Sequence, residues 1–279
     1  MNYNTIEKIY LKIYKIINKF LLTNKDLEDD YYINGEKNIL TNKVNIYIDY
    51  LNFLEINNYF KFELKNNINI LDLGCGLGDK AVIIKKMFPS SNVYEVETTN
   101  NDDHYLKKYP PHKAFEKIYP LMTSNFNIDL SLYDGYNLNF PNSTFDIIFL
   151  YAVIEHISPS KRKNFINNIS KKIKKSGYII ITRCPRYYSL TEFISRKFKL
   201  GAHEWVLKKQ ELLSLFDKNL FDIAVFKRIS NVPANPRKIT NKILFLLVIL
   251  DKFLNFTKWP FSSDYFLIIK KKQSLLSAV

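Results

Sequence analysis

Glycine is scarce in this chain, with only 7 among 279 residues. Three of them, Gly74, Gly76 and Gly78, fall at alternate positions of one short stretch. Cysteine is scarcer still. Cys75 and Cys184 are the 2 present, far apart and without metal-ligand spacing, which excludes a cysteine metal site and suits a reducing, cytoplasmic setting. A clean apolar leader is also missing. The opening MNYNTIEKIYLKIYKIINKFLL carries Lys8, Lys12, Lys15 and Lys19 inside its apolar pattern, so no signal peptide is expected. The most apolar run, ILFLLVILDKFLNF from 243 to 256, would span about 21 Å as a helix, short of the roughly 30 Å hydrocarbon core of a bilayer. Acids are outnumbered, with Asp plus Glu at 27 against Lys plus Arg at 41, a net charge of +14. Such a surface attracts nucleic acid, anionic lipid or anionic substrate; biased use of Lys, Asn, Ile and Tyr gives the same balance.

What is present is an ordinary globular composition, 47% hydrophobic and 24% charged, in a chain long enough for one large domain or a domain plus a cap. Residues 1–66 read as a helical N-terminal cap. Ile6, Ile9, Tyr10, Ile13, Ile16, Ile17 and Phe20 follow helical spacing, and NILTNKVNIYIDYLNFLEI places Leu40, Val44, Ile48 and Leu51 on one face of a second helix. From 67 onward the pattern changes. NINILDL, SNVYEVE, NIDLSLYD, the apolar run in TFDIIFLYAVIEHI, and GYIIITRCP read as five strands. DKAVIIKKMF and RKNFINNISKKIKK read as helices between them, while Thr98 to Asn125 reads as a polar, Pro-containing connection. Alternation of this kind predicts a parallel α/β sheet with right-handed crossovers. After Pro185 come a helix in LKKQELLSLFDK, strands in LFDIAVFKRI and SDYFLIIKKK, and a helical insertion over 233–260. Residues 67–279 are thus expected to form the main domain.

The glycine stretch, INILDLGCGLGDKAV, has the strand–turn–helix context of a ligand loop. In an open parallel sheet, ligands bind beyond the carboxyl ends of the strands at the switch point. A P-loop would need G-K-S or G-K-T, which is absent. A dinucleotide fingerprint would read G-x-G-x-x-G; here the order is G-C-G-L-G, and Asp79 would meet a pyrophosphate at the helix start. With Asp72 two residues before the first glycine, the loop carries fixed negative charge and suits a ligand with a cationic end.

ILDLGCGLGDKAV resembles the first motif of the class I S-adenosylmethionine-dependent methyltransferases. VYEVE resembles the family's second strand with its terminal acid, LYDGYNLNFPNSTFDIIFLYAVIEHI the segment running through its fourth strand, and SKKIKKSGYIIITRCPR the helix, turn and fifth strand. The resemblance covers roughly 66 to 230, with DYFLIIKKK placed like a seventh strand. It implies a doubly wound, Rossmann-like, seven-stranded mostly parallel sheet with an antiparallel last strand. It implies S-adenosylmethionine as cofactor. Gly74, Cys75, Gly76 and Gly78 would line its methionyl part and ribose, and Asp72 its amino end. Glu97 would take the ribose hydroxyls, Asp134 and Gly135 the adenine, and Tyr151 would face the methyl donor.

Other candidates are less specific. His156, at the end of YAVIEHI, is a candidate general base or substrate contact, or else a capping or hydrogen-bonded structural residue; methyl transfer can proceed by alignment alone. Glu155 reads as structural. His203, Glu204 and Trp205 stand in a loop that touches substrate or packs under the cap, and Arg183, Arg186, Tyr187 and Tyr188 follow the fifth strand, to hold an acidic substrate group or face solvent. The 243–259 stretch, with Lys242, Lys258 and Trp259 at its edges, is a core or dimer helix or a peripheral contact to the inner face of a membrane.

The expected activity is methyl transfer to a small molecule or a glycan- or lipid-linked precursor. An RNA substrate is the alternative raised by the charge, weakened because LYAVIEH stands where base amino-methylating relatives carry an asparagine/aspartate-proline-proline-aromatic motif. A non-catalytic protein of the same fold is a further alternative.

Overall fold

The computed structural model describes residues 1–27, 34, 37–38, 40–61, 67–98, 112–133, 137–198, 205–231, 241–256 and 262–273. Seven strands form one sheet: β1 (Asn69–Leu73), β2 (Asn92–Thr98), β3 (Asp129–Tyr133), β4 (Phe145–Tyr151), β5 (Ile173–Pro185), β6 (Phe221–Ile229) and β7 (Asp264–Lys271). Their order is β3-β2-β1-β4-β5-β7-β6. The neighbours from β3 to β5 pair in parallel, and β7 runs antiparallel to both β5 and β6. Chain order reverses between β1 and β4, which sets the switch point there.

The central strands are covered on both faces, so their sequences run apolar without alternation. Ile70, Phe149, Ile180 and Ile268 enter one hydrophobic cluster, while Leu71, Ile148, Ile179 and Leu267 enter another on the opposite face. The first face is covered by helices α1 (Tyr3–Thr23), α2 (Lys43–Phe60), α3 (Asp79–Met87) and α4 (His112–Phe126). The second is covered by α5 (Pro159–Lys172) and α7 (Lys209–Ser214), through Ile166, Ile169 and Leu212. Further helices among the described residues are α6 (Leu190–Phe198) and α8 (Asn241–Phe256). The doubly wound sheet with an antiparallel last strand is therefore as the sequence led us to expect.

Local chemistry explains the entries into these helices. The Asn2 side chain accepts from the Thr5 amide at 3.0 Å, and Asn42 from the Val44 amide at 3.0 Å, so each helix starts on an asparagine cap. Along α1, Ile6, Tyr10, Ile13, Ile17 and Leu21 are buried at helical spacing. Helix α2 is buried more widely than its single predicted face. Ile46, Phe53, Ile56 and Phe60 join the sheet's first cluster, while Val44 and Ile48 form a small separate one with Leu247 of α8 packed against it.

Three readings change. The connection after β2 contains α4, with Pro120 inside the helix; Ile118, Tyr119 and Met122 bury onto the first face, and that packing outweighs the interior proline. The apolar run of β4 ends at Tyr151 and turns through a short 3-10 segment, Ile154–His156. Helix α5 starts at Pro159, pre-set for a first turn, and ends at Lys172, earlier than its basic run suggests.

Candidate functional site

The glycine loop leaves β1 at the switch point and feeds α3. Gly74 and Gly78 take φ of 80° and 78°, the left-handed region that costs side-chain-bearing residues energy. Space forbids a side chain as well. A Cβ on Gly74 would stand 2.7 Å from Val153 Cγ2, and one on Gly78 would collide with Glu95 Oε2. The loop is tied down by backbone and side chains together. The Gly74 amide donates to the Val96 carbonyl at 2.8 Å, the Gly76 amide to Glu97 Oε2 at 2.6 Å, and the Tyr119 hydroxyl to the Gly76 carbonyl at 2.9 Å. Cys75 is buried; burial, then the nearby Glu95 and Glu97, push its thiol well up, so it serves as a small packing residue with an inert sulfur.

Four acids surround this loop. Asp72 and Glu95 sit opposite each other on β1 and β2, both are 0% exposed, and none of their carboxylate oxygens has a hydrogen-bond partner among the described residues. Burial, then the Asp79 charge, raises Asp72 from 3.8 to about 7. Burial, then Asp72, holds Glu95 well above the ordinary range. Glu97 is also raised by burial, against the opposing pull of the Gly76 and Thr98 amides and of His156. Asp79 is buried and ion-paired with Lys80. A buried carboxylate without partners is costly, and a site built of them fits a ligand that brings a positive charge and hydroxyl donors.

A second constellation lies beside the first, at the carboxyl ends of β4 and β5. Asp49 of α2 is 0% exposed. It accepts from Tyr10 of α1 at 2.7 Å and from the Tyr151 hydroxyl. Lys80 Nζ stands 3.6 Å from Asp49 and lies over the rings of Tyr10 and Tyr151, 5.0 and 4.7 Å from their centroids. Arg183 reaches the same carboxylate at 3.8 Å, donates to Asn45 at 3.0 Å and approaches Asp264 at 3.6 Å. Burial works against the Lys80 charge, yet Asp79, Tyr10 and Asp49 outweigh it and raise its pKa. Ala152 and Arg183, each with a positive φ of 53°, mark strained backbone at the same strand ends.

The predicted residues are thus only partly brought together. Asp72, Gly74, Cys75, Gly76, Gly78 and Glu97 do converge around the loop. Tyr151 turns its hydroxyl to Asp49 of α2. His156 is exposed and is electrostatically coupled to Glu97, at the β2 side. Asp134, Gly135, His203 and Glu204 lie outside the described residues. Trp205 offers its carbonyl to Arg162 at 2.6 Å. Arg186, a candidate for substrate or solvent, is buried and donates to the Ser262 carbonyl at 2.7 Å, whereas Tyr187 and Tyr188 are exposed and edge-stacked. The sequence reading missed Tyr10, Asp49, Lys80, Glu95 and Tyr119. Two had a signal: Glu95 shares a strand face with Glu97 at period two, and Asp49 is an acid within an otherwise apolar stretch of α2.

Residues 71–181 match the family model described as a methyltransferase domain. Among curated proteins, the tRNA N(3)-cytidine methyltransferase METTL2 of Bos taurus is 24% identical over 137 residues, 47% of this chain. The chain spans about a third of that relative's length, 32%. Among solved structures, a SAM-dependent methyltransferase from Archaeoglobus fulgidus superposes with a TM-score of 0.53 at 17% identity, over 87% of this chain and 100% of that one. The magnesium protoporphyrin IX methyltransferase from Synechocystis PCC 6803, solved with bound SAH, gives 0.52 at 13% identity over 85% and 87%. The chain therefore has the class I S-adenosylmethionine-dependent methyltransferase fold, and its residues 71–181 are similar to the methyltransferase-domain model.

Proposed function

We propose that this chain transfers a methyl group from S-adenosylmethionine to a small molecule or to a glycan- or lipid-linked precursor. The observation that carries the cofactor side is the Asp72 carboxylate, fully buried at the loop with no hydrogen-bond partner among the described residues. When bound, S-adenosylmethionine supplies an electrophilic methyl carbon on a positively charged sulfonium. Asp72 would hold its amino end, the Gly74–Gly76 backbone its methionyl part, and Glu97 the ribose hydroxyls, a carboxylate having two oxygens for two donors. Asp134 and Gly135 would take the adenine.

On the acceptor side, Tyr151 and Arg183 sit at the strand ends beneath α1 and α2, joined to them through Tyr10, Asn45 and Asp49. This roof favours an acceptor small enough to enter between helices and sheet edge. A dry, aligned pocket is enough for displacement at a sulfonium, and no general base is required. His156, exposed and near Glu97, is better suited to closing the nucleoside side.

A tRNA substrate is the second reading, favoured by the METTL2 likeness and the +14 charge. Calorimetry with S-adenosylhomocysteine tests the cofactor: absence of binding to the wild-type chain rules it out. Incubation with methyl-labelled S-adenosylmethionine and fractionated extract tests the acceptor. Label in small molecules or glycolipids is expected; label confined to RNA would replace this reading with the second.

A further inference from the structure

Helix α8 presents a broad apolar face to solvent. Phe245 is 65% exposed, Leu246 64%, Ile249 48%, Leu250 47% and Phe253 60%. They recur at i, i+4, i+8 and i+1, i+5, which is one continuous side of a helix. The opposite side is anchored. Leu247 packs against Val44 and Ile48 of α2, and the buried Asp251 accepts from the Tyr47 hydroxyl at 3.1 Å and the Asn231 amide at 2.6 Å. The exposed charges on this helix are both cationic, Lys242 and Lys252, and its one acid is the inward Asp251. A soluble monomer seldom shows so concentrated an apolar stripe without a surface to receive it.

We propose that this face of α8 seats on an anionic lipid bilayer, lying in the plane of the interface. Spanning is not the mode, since no described helix is long and apolar enough to cross a membrane. The geometry is that of an interfacial helix, with apolar side chains on one side, lysines beside them and a docked inner face. Charge selects the partner. A second copy of this chain would bring a further +14 and the same two lysines, whereas an anionic bilayer brings the opposite sign. The docked helix also shares α2 with the acceptor-side network, because Tyr47 and Asp49 lie two positions apart. Bilayer attachment would thus hold that strand edge near the lipid surface, whatever the reaction performed there.

The test is flotation of the full chain with vesicles of phosphatidylcholine alone or of equal parts phosphatidylcholine and phosphatidylglycerol, without any cofactor. The wild type is expected to float with the mixed vesicles and at least tenfold less with the neutral ones. Phe245→Glu with Ile249→Glu, both at exposed positions, is expected to lose at least tenfold of the bound fraction while keeping the wild-type melting temperature. Lys242→Glu with Lys252→Glu is expected to lose the anionic preference. No flotation with mixed vesicles, equal flotation with both, or flotation unchanged in the first double variant would each overturn the proposal. So would a wild-type dimer, by sedimentation, that ignores vesicles and dissociates in that variant. Cofactor binding is read separately by calorimetry, so failure here and failure of the methyltransferase reading are distinguishable.

Discussion

The Gly76 amide donates to Glu97 Oε2 at 2.6 Å, across 21 positions of sequence. The acid at the end of β2 thus holds the middle of the glycine loop while its other oxygen accepts from the Thr98 amide at 2.8 Å. Glu97 is a fixed, oriented carboxylate before any ligand arrives, and charged acceptors of this kind make the stronger hydrogen bonds. Glu97→Ala is expected to weaken S-adenosylhomocysteine binding roughly 100-fold, and Glu97→Gln about tenfold, because one amide oxygen remains. Titration calorimetry reads both; unchanged affinity in the alanine variant would remove Glu97 from the site.

Asp72 gives a pH signature. Its folded value of about 7 lies above its ordinary 3.8, so near neutrality part of the ligand-free protein carries it protonated. A cationic ligand favours the ionised form. Affinity for S-adenosylmethionine should therefore rise as pH goes from 6 to 8 and level off above, and Asp72→Asn should flatten this dependence. The same residue costs folding stability. A raised acid binds more protons folded than unfolded, so its penalty is absent below about pH 4, grows through the interval and is complete above about pH 7. Asp72→Asn is expected to stabilise the ligand-free protein by roughly 2–4 kcal/mol at pH 8 and negligibly at pH 4, read by urea denaturation at both pH values.

Gly78→Ala introduces a side chain where φ is 78° and where Glu95 and Leu130 leave no room. About 1–2 kcal/mol is expected from the backbone alone and more from the clash. Adding Glu95→Ala should recover the clash part and leave the backbone part. A double-mutant cycle by chemical denaturation separates them; a fully additive cycle would mean that Glu95 moves aside freely.

Asp49 bears two phenols and two cations. Removing it leaves Lys80 with Asp79 and Arg183 with Asp264 but takes away the acceptor of both phenols and one negative charge from a largely buried site, and Asp49→Ala is expected to cost about 3 kcal/mol. Tyr10→Phe removes one neutral donor and should cost about 1 kcal/mol. Equal losses for the two would show that the site relaxes around missing charge.

The fold was legible where the sequence repeats a physical pattern: the short Ile-rich strands, the asparagine-capped amphipathic α1, and the glycine loop after Asp72. Helix α4 was not, because Pro120 and a polar composition hide a buried Ile118, Tyr119 and Met122. The loop half of the site was legible because consecutive residues build it. The half around Asp49 was not, because Tyr10, Asp49, Lys80, Tyr151 and Arg183 come from five elements and meet only once α1 and α2 have packed. The outward face of α8 was half visible: composition gave an apolar helix, and only its docking through Asp251 and Leu247 decided which side remained outside.

The antiparallel insertion of β7 between β5 and β6 has a consequence for how the chain acquires its shape. Among the described residues β6 pairs with β7 alone, and β7 joins it to β5 through Ile268 and Leu267. Until residues 264–271 have been synthesised, β6 has no ladder to join and the edge of β5 stands open, so nascent chains must pass through a stage with an unsatisfied sheet edge. Closure of this part of the sheet therefore follows pairing of β1 to β5, which needs nothing from residues 264–271.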